Sequence, residues 1–147
     1  MTNRNVIRPI EPRDHAAWLA LWAGYLAFYK AQLPQAITQL TWSRLHDPMM
    51  PLHGWVAEVD GQVVGFTHAL EHLSTWSAGP YVYLEDLFVA SDVRAGGTGR
   101  RLIEAVYAHA ANVGASKVYW QTATSNATAR RLYDKIAEDQ GFMVYQK

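Results

Sequence analysis

With 147 residues, half of them hydrophobic and 18% charged, the chain has the size and apolar content of one self-sufficient domain spanning 1–147, and its six Trp, eight Tyr and four Phe exclude a disordered segment. Thirteen acidic side chains balance thirteen Lys and Arg, so the basic surplus of a nucleic-acid-binding surface is missing, and the lack of cysteine excludes disulfides, thiolate metal sites and a cysteine acyl intermediate. MTNRNVIRPI holds no apolar leader and no run reaches the ~18 apolar residues of a membrane span, so a cytoplasmic protein without membrane contact is the expectation.

Asn5 to Ile10 reads as a short strand. From about Asp14 a long helix follows, with Trp18, Leu21, Trp22, Tyr25, Leu26 and Tyr29 at helical spacing, so one face is expected to be buried. Pro34 interrupts it before a second helix carrying Ile37, Leu40 and Leu45; Pro48 and Pro51 mark a loop. The period then changes: Trp55–Val59 and Gln62–Phe66 flank Asp60-Gly61, a hairpin with a tight turn, its second arm running to about Leu73. A strand over Tyr81–Val89 leads to a glycine-rich turn and a helix from about Thr98 to Ala111. Lys117–Gln121 is read as a strand, Asn126–Glu138 as a helix and Gly141–Gln146 as a last strand. An antiparallel block followed by alternating strands and helices predicts an α/β fold, a mixed sheet covered on both faces.

The turn Arg94-Ala95-Gly96-Gly97-Thr98-Gly99-Arg100-Arg101 joins a strand to a helix. Glycines let backbone approach a ligand closely, and a helix N-terminus offers unpaired N–H groups and partial positive charge, so an anion such as a phosphate fits. Two arginines in the first turn oppose the helix dipole, at ~0.3–1 kcal/mol each, and a bound polyanion would remove that conflict. No Lys follows as in a Walker loop; a dinucleotide fingerprint begun at Gly97 would need its third glycine where Leu102 stands, and no acid ends the next strand to hold a ribose. ATP and NAD therefore fit poorly.

Glu85 and Asp86 interrupt an apolar strand. Neighbouring strand residues face opposite sides, so with helices on both faces at least one carboxylate is expected to be partly buried, which is costly unless it is paired or functional. A carboxylate can bind an ammonium group and take its proton. At pH ~7 a primary amine of pKa ~10.4 needs about 4.6 kcal/mol to be deprotonated. On the later helix Asn126 and Tyr133, seven apart, share a face with Ala129 and Arg130 between them.

These residues carry a resemblance. Arg94-x-x-Gly97-x-Gly99 resembles the pyrophosphate loop of the GCN5-related N-acetyltransferase (GNAT) superfamily. The strand Tyr83–Val89, the Asn126-x-x-Ala129-x-x-x-Tyr133 helix, the opening Ile7-Arg8-Pro9 and the late Gly141-Phe142 resemble it too, so the likeness covers the whole chain. Thr75-Trp76, Tyr83–Val89 and Val118-Tyr119-Trp120 are most similar to the fungal histone and polyamine acetyltransferases, and Leu84-Glu85-Asp86 to the spermidine/spermine acetyltransferases.

The resemblance implies a mixed, mostly antiparallel sheet of about six to seven strands and an acyltransferase that moves acetyl directly from acetyl-CoA to a primary amine, without a metal; the absence of a cysteine and of a G-x-S-x-G elbow agrees with direct transfer. Glu85 is expected as general base because it shares the face of Tyr83 and Leu87, which lines the acetyl site in the resembling family, and Tyr133 as general acid toward the thiolate. Asp86, Tyr83 and Glu71 would meet the amine; Leu87, Phe88 and Val89 would lie along the pantetheine arm. Arg94, Ala95, Gly96, Gly97, Thr98, Gly99 and Arg100 would hold the diphosphate, with Asn126, Ala129 and Arg130 also at the cofactor. A polyamine, a lysine or a similar cationic amine is the expected acceptor, and a homodimer is implied by the resemblance alone. Two other readings stand beside this one: a non-catalytic acetyl-CoA sensor, and a zinc hydrolase built on His68-Ala69-Leu70-Glu71-His72. The latter fails if this stretch is a strand, which would put the two histidines about 13 Å apart.

Overall fold

The computed structural model describes residues 5–91 and 96–147. β1 (Asn5–Pro9) passes through a 3-10 turn into α1 (His15–Phe28), and α2 (Gln35–Leu45) starts directly after Pro34. β2 (Leu52–Val59) and β3 (Gln62–His72) form the expected hairpin. Its turn holds Asp60 at φ 52° and Gly61 at φ 82°, the paired positive values that match the twist of the flanking strands. β4 (Tyr81–Val89), α3 (Thr98–Asn112), β5 (Lys117–Tyr119) and α4 (Ala127–Ile136) complete the order.

Among the described residues one sheet runs β1-β2-β3-β4-β5, antiparallel except for the parallel β4–β5 pair. The α/β class and the mostly antiparallel sheet are as expected. The sheet has five strands, however, because residues 141–146 form none. Gly141 turns the chain with φ +77° and donates its N–H to Asp139 Oδ1 at 2.9 Å, and Phe142 and Tyr145 stand about 90% exposed (89% and 90%). No helix among the described residues is long and apolar enough to cross a membrane.

The helical spacing of α1 puts Trp18 and Trp22 against Phe66, Val56, Ile10 and Leu45 on one face of the sheet. α2 is less committed than its pattern suggests: Leu45 is buried, whereas Ile37 and Leu40 remain exposed. On the other face Ile103, Val106 and Ala110 of α3 pack on Ala69, Val82 and Leu84. α4 joins that side through Leu132, Tyr133 and Ile136, and the Tyr107 hydroxyl donates to the Ile136 carbonyl at 3.1 Å.

The first strand is pinned by charge. Arg8 donates to both oxygens of Asp14 at 2.8 Å and also to Glu58, tying β1, the entry to α1 and β2 together. Asp14 is 4% exposed, and the Arg8 hydrogen bond holds its carboxyl below the usual range against the opposing effect of burial. A depressed carboxyl stabilises the fold fully above its unfolded pKa of ~3.9, and that contribution disappears as pH falls through the folded value. Asp14→Asn is therefore expected to lower unfolding free energy by about 1.5–3 kcal/mol in denaturant titrations near neutrality, the deficit shrinking as both proteins are taken to acid pH.

Candidate active site

β4 pairs with β5 only over Tyr81–Lys117, Val82–Val118 and Tyr83–Tyr119. Beyond Tyr83 no strand among the described residues covers that edge of β4, and the open edge where β5 ends is the candidate cleft. On its other edge β4 stays paired with β3, but the register slips there: His68 lies opposite Asp86, while Ala69 lies opposite Leu84. Glu85 is the extra residue, a β-bulge where the cleft begins. The bulge explains why Leu84 and Leu87, three residues apart, both pack toward α3. It also corrects an expectation: Tyr83 and Leu87 are on opposite faces, so Glu85 does not share one face with both.

Glu85 is exposed, and its carboxyl is raised by partial desolvation and by the charge of Asp86. Tyr83 and Tyr119, whose rings are 4.9 Å apart, flank it; burial first and Glu85 second raise both phenols. Asp86 is held from behind. Trp18 donates Nε1–H to His68 Nε2 at 3.0 Å, so that nitrogen carries a lone pair. His68 Nδ1 then holds the ring's proton and donates it to Asp86 Oδ2 at 2.9 Å. His68 is 1% exposed, so the neutral tautomer is locked inside the core. The Tyr25 phenol also lies against Asp86, and burial together with that charge raises it strongly. Trp18 and Tyr25 are not among the expected site residues, and His68 enters the sequence reading only through the H-x-x-E-H motif; the apolar stripe of α1 reads as core, and only the fold brings it to Asp86.

Arg94 and Ala95 lie outside the described residues. Gly97 caps α3 with φ +75°, which an L side chain rarely adopts. Among the described residues, a Cβ on Gly96 or Gly99 would meet no atom outside its chain neighbours and its own helix backbone closer than 3.9 Å, so space rather than packing is what these glycines provide there. Arg100 is exposed, 3.6 Å from Glu104. Arg101 is the better-placed cation: it donates to the Gly96 carbonyl at 3.2 Å, while its buried Nε has no hydrogen-bond partner among the described residues. An orphaned cationic donor beside open glycines and the unpaired N–H groups of a helix start fits a diphosphate.

The side chains of Leu87 and Val89 are core, and Phe88 packs near Tyr25 and Phe66, so any ligand contact there falls to their backbone. Asn126 caps α4, accepting from the Ala129 N–H at 3.4 Å. Arg130 donates to the Thr124 carbonyl at 2.9 Å and sits 3.9 Å from Asp139. Tyr133 packs edge-on against Trp120 at 5.4 Å, and burial raises its phenol. Glu71 is not brought to this group. It points to the α3 face, where it meets His53 and His109. The H-x-x-E-H motif is likewise divided: it lies on a strand, His68 is bonded to Asp86, and His72 accepts or donates at the Tyr119 hydroxyl 2.6 Å away.

Residues 16–137 match the model of the acetyltransferase (GNAT) family. The chain is 38% identical over 149 aligned positions to the D-amino-acid N-acetyltransferase HPA3 of Saccharomyces cerevisiae, covering 100% of this chain and 92% of the yeast protein. It is 33% identical to the uncharacterized N-acetyltransferase YhfO of Bacillus subtilis, over 95% of this chain and 94% of that one. In fold it is similar to aminoglycoside N-acetyltransferase AAC(6')-Iy in complex with CoA, with a TM-score of 0.84, 20% identity and coverage of 100% and 96%. The yeast relative's name states D-amino acids as acceptor, not the histones or polyamines of the acetyltransferases that the sequence was expected to be nearest.

If Arg101 and the glycines form an anion cradle, Arg101→Gln should weaken coenzyme A binding by roughly 10–100-fold, the loss of one charge-assisted hydrogen bond, in isothermal titration calorimetry. Arg100→Gln should change it much less; equal effects would remove the distinction.

Proposed function

This chain belongs to the acetyltransferase (GNAT) family, and from that premise we propose that it transfers acetyl from acetyl-CoA to the primary amine of a small molecule, with Glu85 as proton acceptor and Tyr133 as proton donor. The enzyme is an acyltransferase. The observation that carries the finer reading is the bulge: it sets a carboxylate with a raised pKa at the mouth of the cleft where β4 and β5 part.

Acetyl-CoA, when bound, supplies an activated thioester; the residues do the rest. The α3 start, Gly96, Gly97, Gly99 and Arg101 would hold the diphosphate, and the uncovered edge of β4 at Leu87 would align the extended arm. Asn126 would add its amide NH2, since its Oδ1 is engaged in the helix cap. Glu85 binds the incoming ammonium and takes its proton; its raised carboxyl brings its basicity nearer that of the task. Asp86, fixed by His68, adds the second negative charge that favours a cationic amine. Tyr133, kept protonated by burial, gives its phenolic proton to the departing sulfur.

A second reading of the acceptor has its own support. The 38% identical yeast relative is named for D-amino acids, which makes the α-amine of an amino acid the competitor to the polyamine or lysine amine that the paired acids favour. An acceptor panel of polyamines, lysine peptides and both amino-acid enantiomers, followed by free-thiol release, decides between them. Preference for D-amino acids would overturn the polyamine or lysine reading; the absence of thiol release with every acceptor of the panel would leave only cofactor binding.

Glu85→Gln is expected to lower kcat/KM by about 100-fold or more and to remove the acid limb of its pH profile. That limb exists because turnover falls once pH drops below the raised Glu85 pKa. Tyr133→Phe should reduce kcat with little change in the KM for acetyl-CoA; unchanged turnover would take the proton-donor role from it.

A further inference from the structure

The Glu71 carboxylate, on the face of the sheet away from Asp86, has two imidazoles aimed at it. His53 comes from β2 and His109 from the last turn of α3. His109 Nε2 is hydrogen-bonded to Glu71 Oε1, and His53 Nε2 lies 3.0 Å from the same oxygen. One ligand atom from each residue falls within 4.8 Å of the others, and the two imidazole centroids are 4.3 Å apart. His53 Nε2 is buried, yet its approach to Glu71 does not have hydrogen-bond geometry, so it is a buried nitrogen without a hydrogen-bond partner.

We propose that His53, Glu71 and His109 form a binding site for a divalent transition-metal ion of the zinc type, a staple between α3 and the β2–β3 hairpin. The donor set is two imidazole nitrogens and a carboxylate oxygen, the mixture that such borderline ions take. Bonds of ~2.0–2.2 Å in a tetrahedron place ligand atoms roughly 3.4 Å apart, so the observed cluster needs side-chain adjustment rather than backbone movement.

The backbone positions are already fixed. His53 pairs with Ala69, Glu71 N–H bonds the Pro51 carbonyl at 3.1 Å, and α3 is packed on Ala69 through Ile103, Val106 and Ala110. His53, Trp55, Ala105, Ala108, His109 and Asn112 help line a cavity of about 480 Å³, which gives an ion and a water ligand a way in. The three ligands lie on separate elements, so no short sequence motif announces them. Glu71 belongs to H-x-x-E-H in the sequence, but its partners are other histidines.

The test uses the full chain without a histidine tag. Calorimetric titration with Zn²⁺ should give one site per chain, and saturating ion should raise Tm by several degrees, reversed by EDTA. Co²⁺ should give the intense visible absorption of a tetrahedral site. His53→Asn, Glu71→Gln and His109→Asn should each weaken binding at least tenfold; His53 is the most exposed of the three, so its variant covers the case in which the others fail to fold. A wild-type protein with no stoichiometric Zn²⁺ heat and no Tm rise would show an imidazole–carboxylate cluster of structural use only and overturn the site. Binding that survives His53→Asn unchanged would also overturn it.

Discussion

One inserted residue in β4 organises the candidate site of this molecule. With strict alternation from Tyr81 to Val89, the residues that fill the α3-side core would run out of phase with the helix after Leu84. Glu85 absorbs the slip, so Val82, Leu84, Leu87 and Val89 all remain on the packed side. The bulge excuses one side chain from the core, and that side chain is a carboxylate. It comes where β5 ends as a neighbour, so cleft and charge arise together.

The second constraint is the burial of polar groups behind Asp86. A histidine that is 1% exposed would cost several kcal/mol unpaired, on the order of 1–3 for each lost hydrogen bond. Here both nitrogens are satisfied, one by an indole that can only donate and one by a carboxylate that accepts. The tautomer therefore follows from its partners. α1 thus has two uses for one stripe: Trp18 and Trp22 stack at 5.5 Å as core, and the indole N–H of Trp18 orients the His68 ring that holds Asp86.

Much of this was legible in the chain. Asp60-Gly61 demanded a tight hairpin, Pro34 separated two helices, and glycines at 96, 97 and 99 marked the start of an amphipathic helix. Each is a local effect of backbone freedom or periodicity. The apolar run Phe142 to Tyr145 misled the same reading, because alternation shows that a segment could pair, not that an edge awaits it. Arg100 and Arg101 could not be told apart as ligands for the same reason: one turn of helix sends the first toward Glu104 and leaves the second with a buried, unpaired nitrogen.

By itself the sequence determined the order of elements, the two-faced sheet, the hairpin turn and the glycine-led helix start, since these depend on φ preferences and on the spacing of apolar side chains. Tertiary structure alone decided which carboxylate faces the cleft, which histidine stands behind Asp86, and that Glu71 belongs with His53 and His109 rather than with Glu85. Those outcomes depend on strand register, and a slip of one residue reverses the face of every side chain beyond it.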